Sequence, residues 1–422
     1  MNPLLLNTFD NQGGAAIATF RLYRSLRGIG INAHLLVQGK KTGDHSVIGP
    51  ITKCQKTLAF LRPYLDDVWT WLYLKRKKVI FSPAWLPERL VSKVMKLNPD
   101  IIHLFWVNGG FIRIETLRKF KCPIIWTLHD MWPFTGGCHY DEECGKFQQS
   151  CGNCPILQSE QERDLSRLIW RRKQTAWKDV PIVVVATSHW IAEMARSSSL
   201  FRDHRIEVIP NGIDTEMYKP INKKMARSAY NLPQDKHLIL FSAFSATSDK
   251  RKGNQFLVQA VKKMSRAGWR SKADLVIIGA SRPENPPDMG MPVHYMGRLH
   301  DEISQVLLYS AADVLVAPSI QENLSNTVME ALACGTPVVA FHIGGMPDMI
   351  DHKINGYLSS PFEPNDLAEG IMWVLEDAKR HNMLSQLARQ TVMERFASRK
   401  VVEQYIELYQ DVIKRSLIPG KL

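Results

Sequence analysis

Residues 312–345 read ADVLVAPSIQENLSNTVMEALACGTPVVAFHIGG. Val314 to Ala317 is an apolar run of strand length, and Pro318 ends it. A polar loop with Glu322 and Asn323 follows, then a short helical segment over about 326–334 that Gly335 stops. Pro337 opens a second apolar run, Val338 to Phe341, which Gly344 and Gly345 close. Strand, loop, helix and strand in about 30 residues make a βαβ unit. Loops at the carboxyl ends of such strands are where α/β proteins hold ligands. This loop offers acids, amides and hydroxyls, which points to a sugar or a nucleotide.

The same alternation runs outward in both directions. In the first half, strands are expected over 3–7, 34–37, 100–105, 123–128, 182–186 and 207–209, with helices over 15–27, 109–120 and 188–197. Gly13 and Gly14 sit between the first strand and the first helix, where backbone N–H groups approach a ligand or a plain tight turn forms. The turn sequence Pro210-Asn211-Gly212-Ile213-Asp214 marks a boundary. Beyond it the pattern restarts, with strands over 238–242, 274–278 and 293–295 and helices over 252–267, 302–310, 365–377 and 380–395. A last helical stripe over about 400–414 carries Val401, Tyr405, Leu408, Tyr409 and Val412. The fold class is therefore α/β, with two successive parallel-sheet domains. The expected division is 1–208, a linker over 209–219, a second domain over 220–396 and a crossover helix over 397–418.

With 422 residues, core volume is no limitation, and 45% hydrophobic with 23% charged content is that of a globular enzyme. The net charge of +13 favours an anionic partner. Residues 54–95 interleave Trp69, Trp71, Tyr73, Phe81 and Trp85 with the basic run 75–78. That texture suits a membrane interface or a carbohydrate platform; the plainer reading is a helix that packs its aromatics on the core and solvates its lysines. No apolar run is long enough to span a bilayer. The opening MNPLLLNTFDNQGG has no basic n-region, so a cytoplasmic protein is expected.

Seven cysteines in a cytoplasmic chain argue against a disulfide framework. Four of them, Cys138, Cys144, Cys151 and Cys154, cluster in 136–158 and end in C-x2-C. The spacing allows a structural zinc with all four positions filled by thiolates; free thiols or a labile disulfide are the alternatives.

The run ENLSNTVMEALACGTPVVA, 322–340, resembles the E-x7-E region of retaining glycosyltransferases of the family-4 type. The resemblance extends to Gly13-Gly14, His129, the 210–214 turn, Lys252-Gly253 and Gly344-Gly345-Met346-Pro347-Asp348, and so covers nearly the whole chain. It implies the GT-B fold: two Rossmann-like domains facing across a cleft, with a C-terminal helix returning to the first. It implies that Glu322 faces the donor sugar and Glu330 binds the ribose. A carboxylate accepts from both vicinal hydroxyls, so the latter role suits it. Locally, Thr327 and Glu330 also read as a helix capping box. Asn323, Leu324 and Ser325 would meet the diphosphate through backbone N–H groups. Lys252, with Arg251 beside it, would offset charge on the leaving diphosphate. His129 would contact the donor sugar, with Asp130 a candidate for acceptor orientation. Many relatives carry Arg five positions before the lysine, where this chain has Thr247.

The resemblance thus implies transfer of a hexose from a nucleotide diphosphate sugar to a glycan, in bacterial surface-polysaccharide assembly, and the basic charge with the segment 54–95 suggests a polyprenyl-diphosphate-linked acceptor at the membrane. An anionic membrane surface is the expected further partner, nucleic acid is not, and no cofactor is required for chemistry. A sugar-nucleotide epimerase or hydrolase, and a non-catalytic sugar-nucleotide-binding subunit, use the same architecture.

Overall fold

The computed structural model describes residues 1–242, 249–286, 288–299 and 301–417. Two compact units form: Met1–Pro210 together with the chain from Val402 onward, and Asn211–Val401.

Among the described residues the first unit carries seven strands, β1 (Pro3–Phe9), β2 (His34–Gly39), β3 (Val47–Ile48), β4 (Ile101–Leu104), β5 (Ile124–Leu128), β6 (Ile182–Ala186) and β7 (Ile206–Val208). All pairs are parallel, in the order β3-β2-β1-β4-β5-β6-β7. Leu4, Leu5 and Leu6 are all fully buried, because helices cover both faces of the sheet. That is why these strands read as unbroken apolar runs and do not alternate. The returning helix Ser398–Ser416 packs on this sheet. Its Tyr409 hydroxyl meets His103 Nδ1 at 2.6 Å, and Tyr405 meets the Thr127 hydroxyl at 3.1 Å.

The second unit carries β8 (His237–Ser242), β9 (Ala273–Ile278), β10 (Val293–Tyr295), β11 (Val314–Ala317), β12 (Val338–Phe341) and β13 (Gly356–Ser359) among the described residues. The order is β10-β9-β8-β11-β12-β13, again all parallel. The stretch 312–345 forms β11, the helix Asn326–Ala333 and β12, one complete βαβ unit. Ile213 joins this unit by pairing with the chain at Phe396 and Ser398, through bonds of 2.8 and 2.9 Å.

Three local expectations change. Residues 109–120 do not form an α-helix: Gly109 and Gly110 take left-handed φ values of 62° and 73°, and only the 3-10 turn Ile114–Lys119 follows. The helix expected over 252–267 splits at Gly253 into a 3-10 turn, Lys250–Lys252, and the helix Asn254–Met264. The aromatics of 54–95 divide: Phe81 is core and Tyr73 packs against it, whereas Trp69 and Trp71 are exposed, and the helix Lys53–Asp67, which starts at a Thr52/Gln55 capping box, buries Asp66.

Candidate active site

In the second unit two loops meet at the carboxyl end of the sheet. One follows β8 and carries Lys252; the other follows β11 and carries Glu322. Lys252 Nζ donates to Glu322 Oε2 at 2.5 Å, with both side chains partly shielded. The main chains touch as well. Ile320 N donates to Arg251 O at 2.8 Å, and a Cβ on Gly253 would lie 1.7 Å from Pro318 O. On the other side, Gly345 N donates to Glu322 O, and a Cβ on Gly344 would lie 1.9 Å from that oxygen. Both glycines have positive φ, 71° and 52°. Backbone contact on two sides thus fixes the spacing of the lysine and the acid, 70 residues apart.

Arg251, next to Lys252, is engaged by an acid of its own loop. Its guanidinium pairs with Asp249, at 2.8 Å to Oδ2 and 3.2 Å to Oδ1. Burial raises the Asp249 carboxyl, but the Arg251 hydrogen bonds and charge outweigh it and hold the acid below its usual range. Thr247, where relatives carry arginine, lies outside the described residues.

Glu330 is buried in the helix Asn326–Ala333. The N-cap of that helix is Ser325, with no side-chain cap bond, so the capping-box reading of Thr327 and Glu330 does not hold. Glu330 Oε2 instead accepts from the Tyr309 hydroxyl at 2.9 Å. Burial, with the adjacent carboxylate, pushes the Tyr309 phenol well above its ordinary range, so it stays a donor. Asn323, Leu324 and Ser325 are buried immediately before the helix start, with Ser325 as its N-cap.

In the first unit the carboxyl strand ends bring together a second group. Gly13 has φ 86° and caps the helix Gly14–Gly28 with no side chain, and the space where its Cβ would stand is open. At the end of β5, the His129 ring stacks on Phe105 at 5.9 Å between centroids. Its Nε2 is shielded and has no hydrogen-bond partner among the described residues. Burial pushes the His129 pKa down to about 4, against a smaller opposing effect of Asp130, so the ring is neutral at pH 7.

Asp130 anchors a buried network that sequence reasoning missed. Its Oδ2 accepts from Trp106 Nε1 at 2.8 Å and meets His139 Nδ1 at 2.6 Å. His139 Nε2 in turn meets the Ser82 hydroxyl at 2.9 Å and Asn108 Nδ2 at 3.1 Å. Burial raises the Asp130 carboxyl, but His139, Trp132 N and Trp106 outweigh it and hold the acid below its usual range. Of its members only Asp130 stood out in the sequence, and His139 lies beside Cys138, at the start of the cysteine cluster. Partners up to 57 residues apart leave no local pattern.

The four clustered cysteines are free thiols, with Cys138 and Cys154 buried. Burial raises all four, and each sits within electrostatic reach of the other cysteines. Backbone N–H groups of Ile156 and Leu157 point at Cys154, that of Lys146 at Cys144 and that of Gly136 at Cys151. Sulfur donors on one insertion suit zinc, but among the described residues no group of three or more His, Cys, Asp or Glu is arranged to hold a metal ion.

Comparison with known proteins follows the same division. Residues 12–217 match the family described as Glycosyltransferase Family 4, and residues 236–377 match Glycosyl transferases group 1. An N-acetyl-alpha-D-glucosaminyl L-malate synthase of Bacillus anthracis is 27% identical over 55% of this chain and 60% of its own length. A D-inositol 3-phosphate glycosyltransferase of Saccharomonospora viridis is 26% identical over 74% of this chain and 70% of its own. In fold, the chain is similar to sucrose-phosphate synthase from Thermosynechococcus elongatus, with a TM-score of 0.69 at 20% identity over 98% of this chain and 99% of that one. It is also similar to Anabaena HepE, solved with UDP-glucose, with a TM-score of 0.65 at 16% identity over 97% and 100% of the two chains. Two parallel-sheet units, each matched by one half of the same enzyme group, show that this chain belongs to the family-4, group 1 glycosyltransferases.

Proposed function

We propose that the chain is a retaining hexosyltransferase that takes its sugar from a nucleotide diphosphate donor. The observation that carries this reading is the Lys252–Glu322 pair, set by backbone contact at the carboxyl edge of the second sheet. Cleaving a glycosyl–phosphate bond leaves a nucleoside diphosphate with added negative charge. A cation held at that oxygen stabilises the transition state more than the ground state. When a diphosphate engages Lys252, Glu322 turns to the sugar, binding hydroxyls and offsetting positive charge on the anomeric carbon. The N–H groups of Asn323, Leu324 and Ser325 meet the diphosphate at the helix start. Glu330 receives the ribose hydroxyls, while Tyr309 fixes the orientation of its carboxylate. Neutral His129 offers a sugar hydroxyl a ring nitrogen that carries no charge. Retention follows from same-face substitution, in which the leaving phosphate takes the acceptor proton.

The complex of HepE with UDP-glucose supports a nucleotide-sugar donor here. The acceptor is a glycan or polyprenyl-diphosphate-linked saccharide of cell-surface polysaccharide assembly, met in the cytoplasm at an anionic membrane surface. We also propose that Cys138, Cys144, Cys151 and Cys154 would hold a structural zinc that braces their loop and takes no part in transfer.

A donor screen tests the reading. Release of nucleoside diphosphate is measured over a panel of sugar nucleotides, with and without a lipid-extract acceptor. Acceptor-dependent release from one donor, with the anomeric configuration of the product retained, is the expected result. Turnover that needs no acceptor makes the chain a hydrolase or epimerase and sinks the proposal.

A further inference from the structure

Eleven of the 23 exposed large apolar side chains among the described residues fall within 51–80. In the helix Lys53–Asp67 the usual arrangement is inverted. Leu58, Leu61 and Leu65 follow an i, i+3, i+7 stripe and point to solvent, flanked by Phe60 and Tyr64, whose rings lie 5.7 Å apart. The face turned to the protein is polar. Arg62 donates to Gln38 Oε1 at 3.0 Å, to Gly110 O at 2.7 Å and to Pro87 O at 2.9 Å. Asp66 accepts from the main-chain N–H groups of Ala84 and Trp85, both at 3.2 Å. A helix held by its polar side, with an apolar arc left uncovered, contributes little to the core of its own unit.

The apolar surface continues past the helix. Trp69 and Trp71 are about half exposed, Leu72 is 73% exposed and Leu74 is 94% exposed. Charge on this segment is one-sided. Its two acids are both engaged, Asp66 as above and Asp67 with Arg76 at 2.8 Å, whereas Lys53, Lys56, Lys75 and Lys78 are exposed. Apolar side chains fringed by lysines, with tryptophan and tyrosine among them, suit the boundary between acyl chains and anionic headgroups. A second copy of the same face would set lysines against lysines, which argues for a lipid partner over self-association.

The helix is also placed for a membrane-borne acceptor. Gln38 is the penultimate residue of β2, and Gly110 lies in the loop after β4, so Arg62 ties the helix to the carboxyl ends of the strands in the first unit. Asp66 holds Ala84 and Trp85, two and three residues beyond Ser82 and its contact with His139. We propose that residues 53–78 form an in-plane docking surface for an anionic bilayer, which brings the strand ends around His129 and Asp130 to the level of lipid headgroups. This deepens the lipid-linked acceptor reading above, on which its purpose rests.

The test is co-sedimentation of the full chain with phosphatidylglycerol-containing vesicles and with pure phosphatidylcholine vesicles. Binding to the anionic vesicles that weakens as salt rises is expected. Lys75→Gln with Lys78→Gln lowers it about 30-fold, about fivefold per charge. Leu61→Ser, Leu72→Ser and Leu74→Ser together abolish it, with circular dichroism unchanged because all three side chains are exposed. Absence of binding to anionic vesicles overturns the proposal. So does equal binding by the variants, or a dimer in light scattering that the serine variant dissolves. The vesicles contain neither donor nor acceptor, so this result is readable even if the transfer reading fails.

Discussion

Lys252 and Glu322 illustrate what a single side chain can and cannot announce. Neither is unusual in its own neighbourhood, since Lys252 sits in a basic run and Glu322 in a polar loop. Their pairing spans 70 residues and was readable only through the resemblance of the surrounding motifs. Asp130, His139 and Ser82 had no such help and were missed as a network. Arg251, expected beside Lys252 at the diphosphate, pairs with Asp249 two residues earlier. At this scale the expected outcome is specific. Lys252→Ala lowers kcat about 10²- to 10³-fold with little loss of folding, the size found when one group that stabilises transition-state charge is removed. Glu322→Gln also lowers kcat. The double variant loses less than the product of the two, because each acts through the other. Steady-state kinetics with the donor that the screen selects measures all three; additive losses would show that the pair does not work as a unit.

At the scale of elements, parallel strands were the most legible feature. Runs such as Leu4–Leu6 and Val183–Val185 are buried on both faces, so composition alone marks them. Helices were less legible where glycine intervened. Gly110 faces Leu86 and Arg62 so closely that a Cβ would stand 2.8 Å from the leucine, and the left-handed pair Gly109–Gly110 replaces the first turns of the expected helix. For the helix Lys53–Asp67, the aromatic and basic texture of 54–95 did not say which side of a helix faces inward. Only the bonds of Arg62 and Asp66 to the main chain decide that the polar side is inside. In the cysteine insertion, spacing suggests a four-thiolate site, and the four side chains stand as free thiols. Metal analysis of protein purified without chelator is expected to find about one zinc per chain, as for a four-thiolate structural site. Cys151→Ser with Cys154→Ser removes it and lowers the melting temperature of the first unit. Protein that holds no zinc after supplementation would leave the four thiols as packed, unligated side chains.

For the whole molecule the decisive fact is that sequence order and spatial membership differ: residues after Val402 belong to the unit that the first 210 residues build. Tyr405 and Tyr409 are buried there, each making a hydrogen bond to a polar group on the first sheet. Tyr409→Ala removes a buried ring and leaves His103 without that partner, so it is expected to destabilise the first unit by about 3–5 kcal/mol. Tryptophan fluorescence in a urea titration reads this selectively, since Trp269 and Trp373 are the only tryptophans of the second unit. An unchanged first transition would show that the terminal helix is an accessory. If it is not, the helix also sets an order of manufacture. As the polypeptide leaves the ribosome, β4 and β5 emerge early, with His103 and Thr127 still lacking their tyrosine partners. The domain begun first is then the one completed last, and a message truncated near its end yields a chain whose second domain is whole and whose first is unfinished.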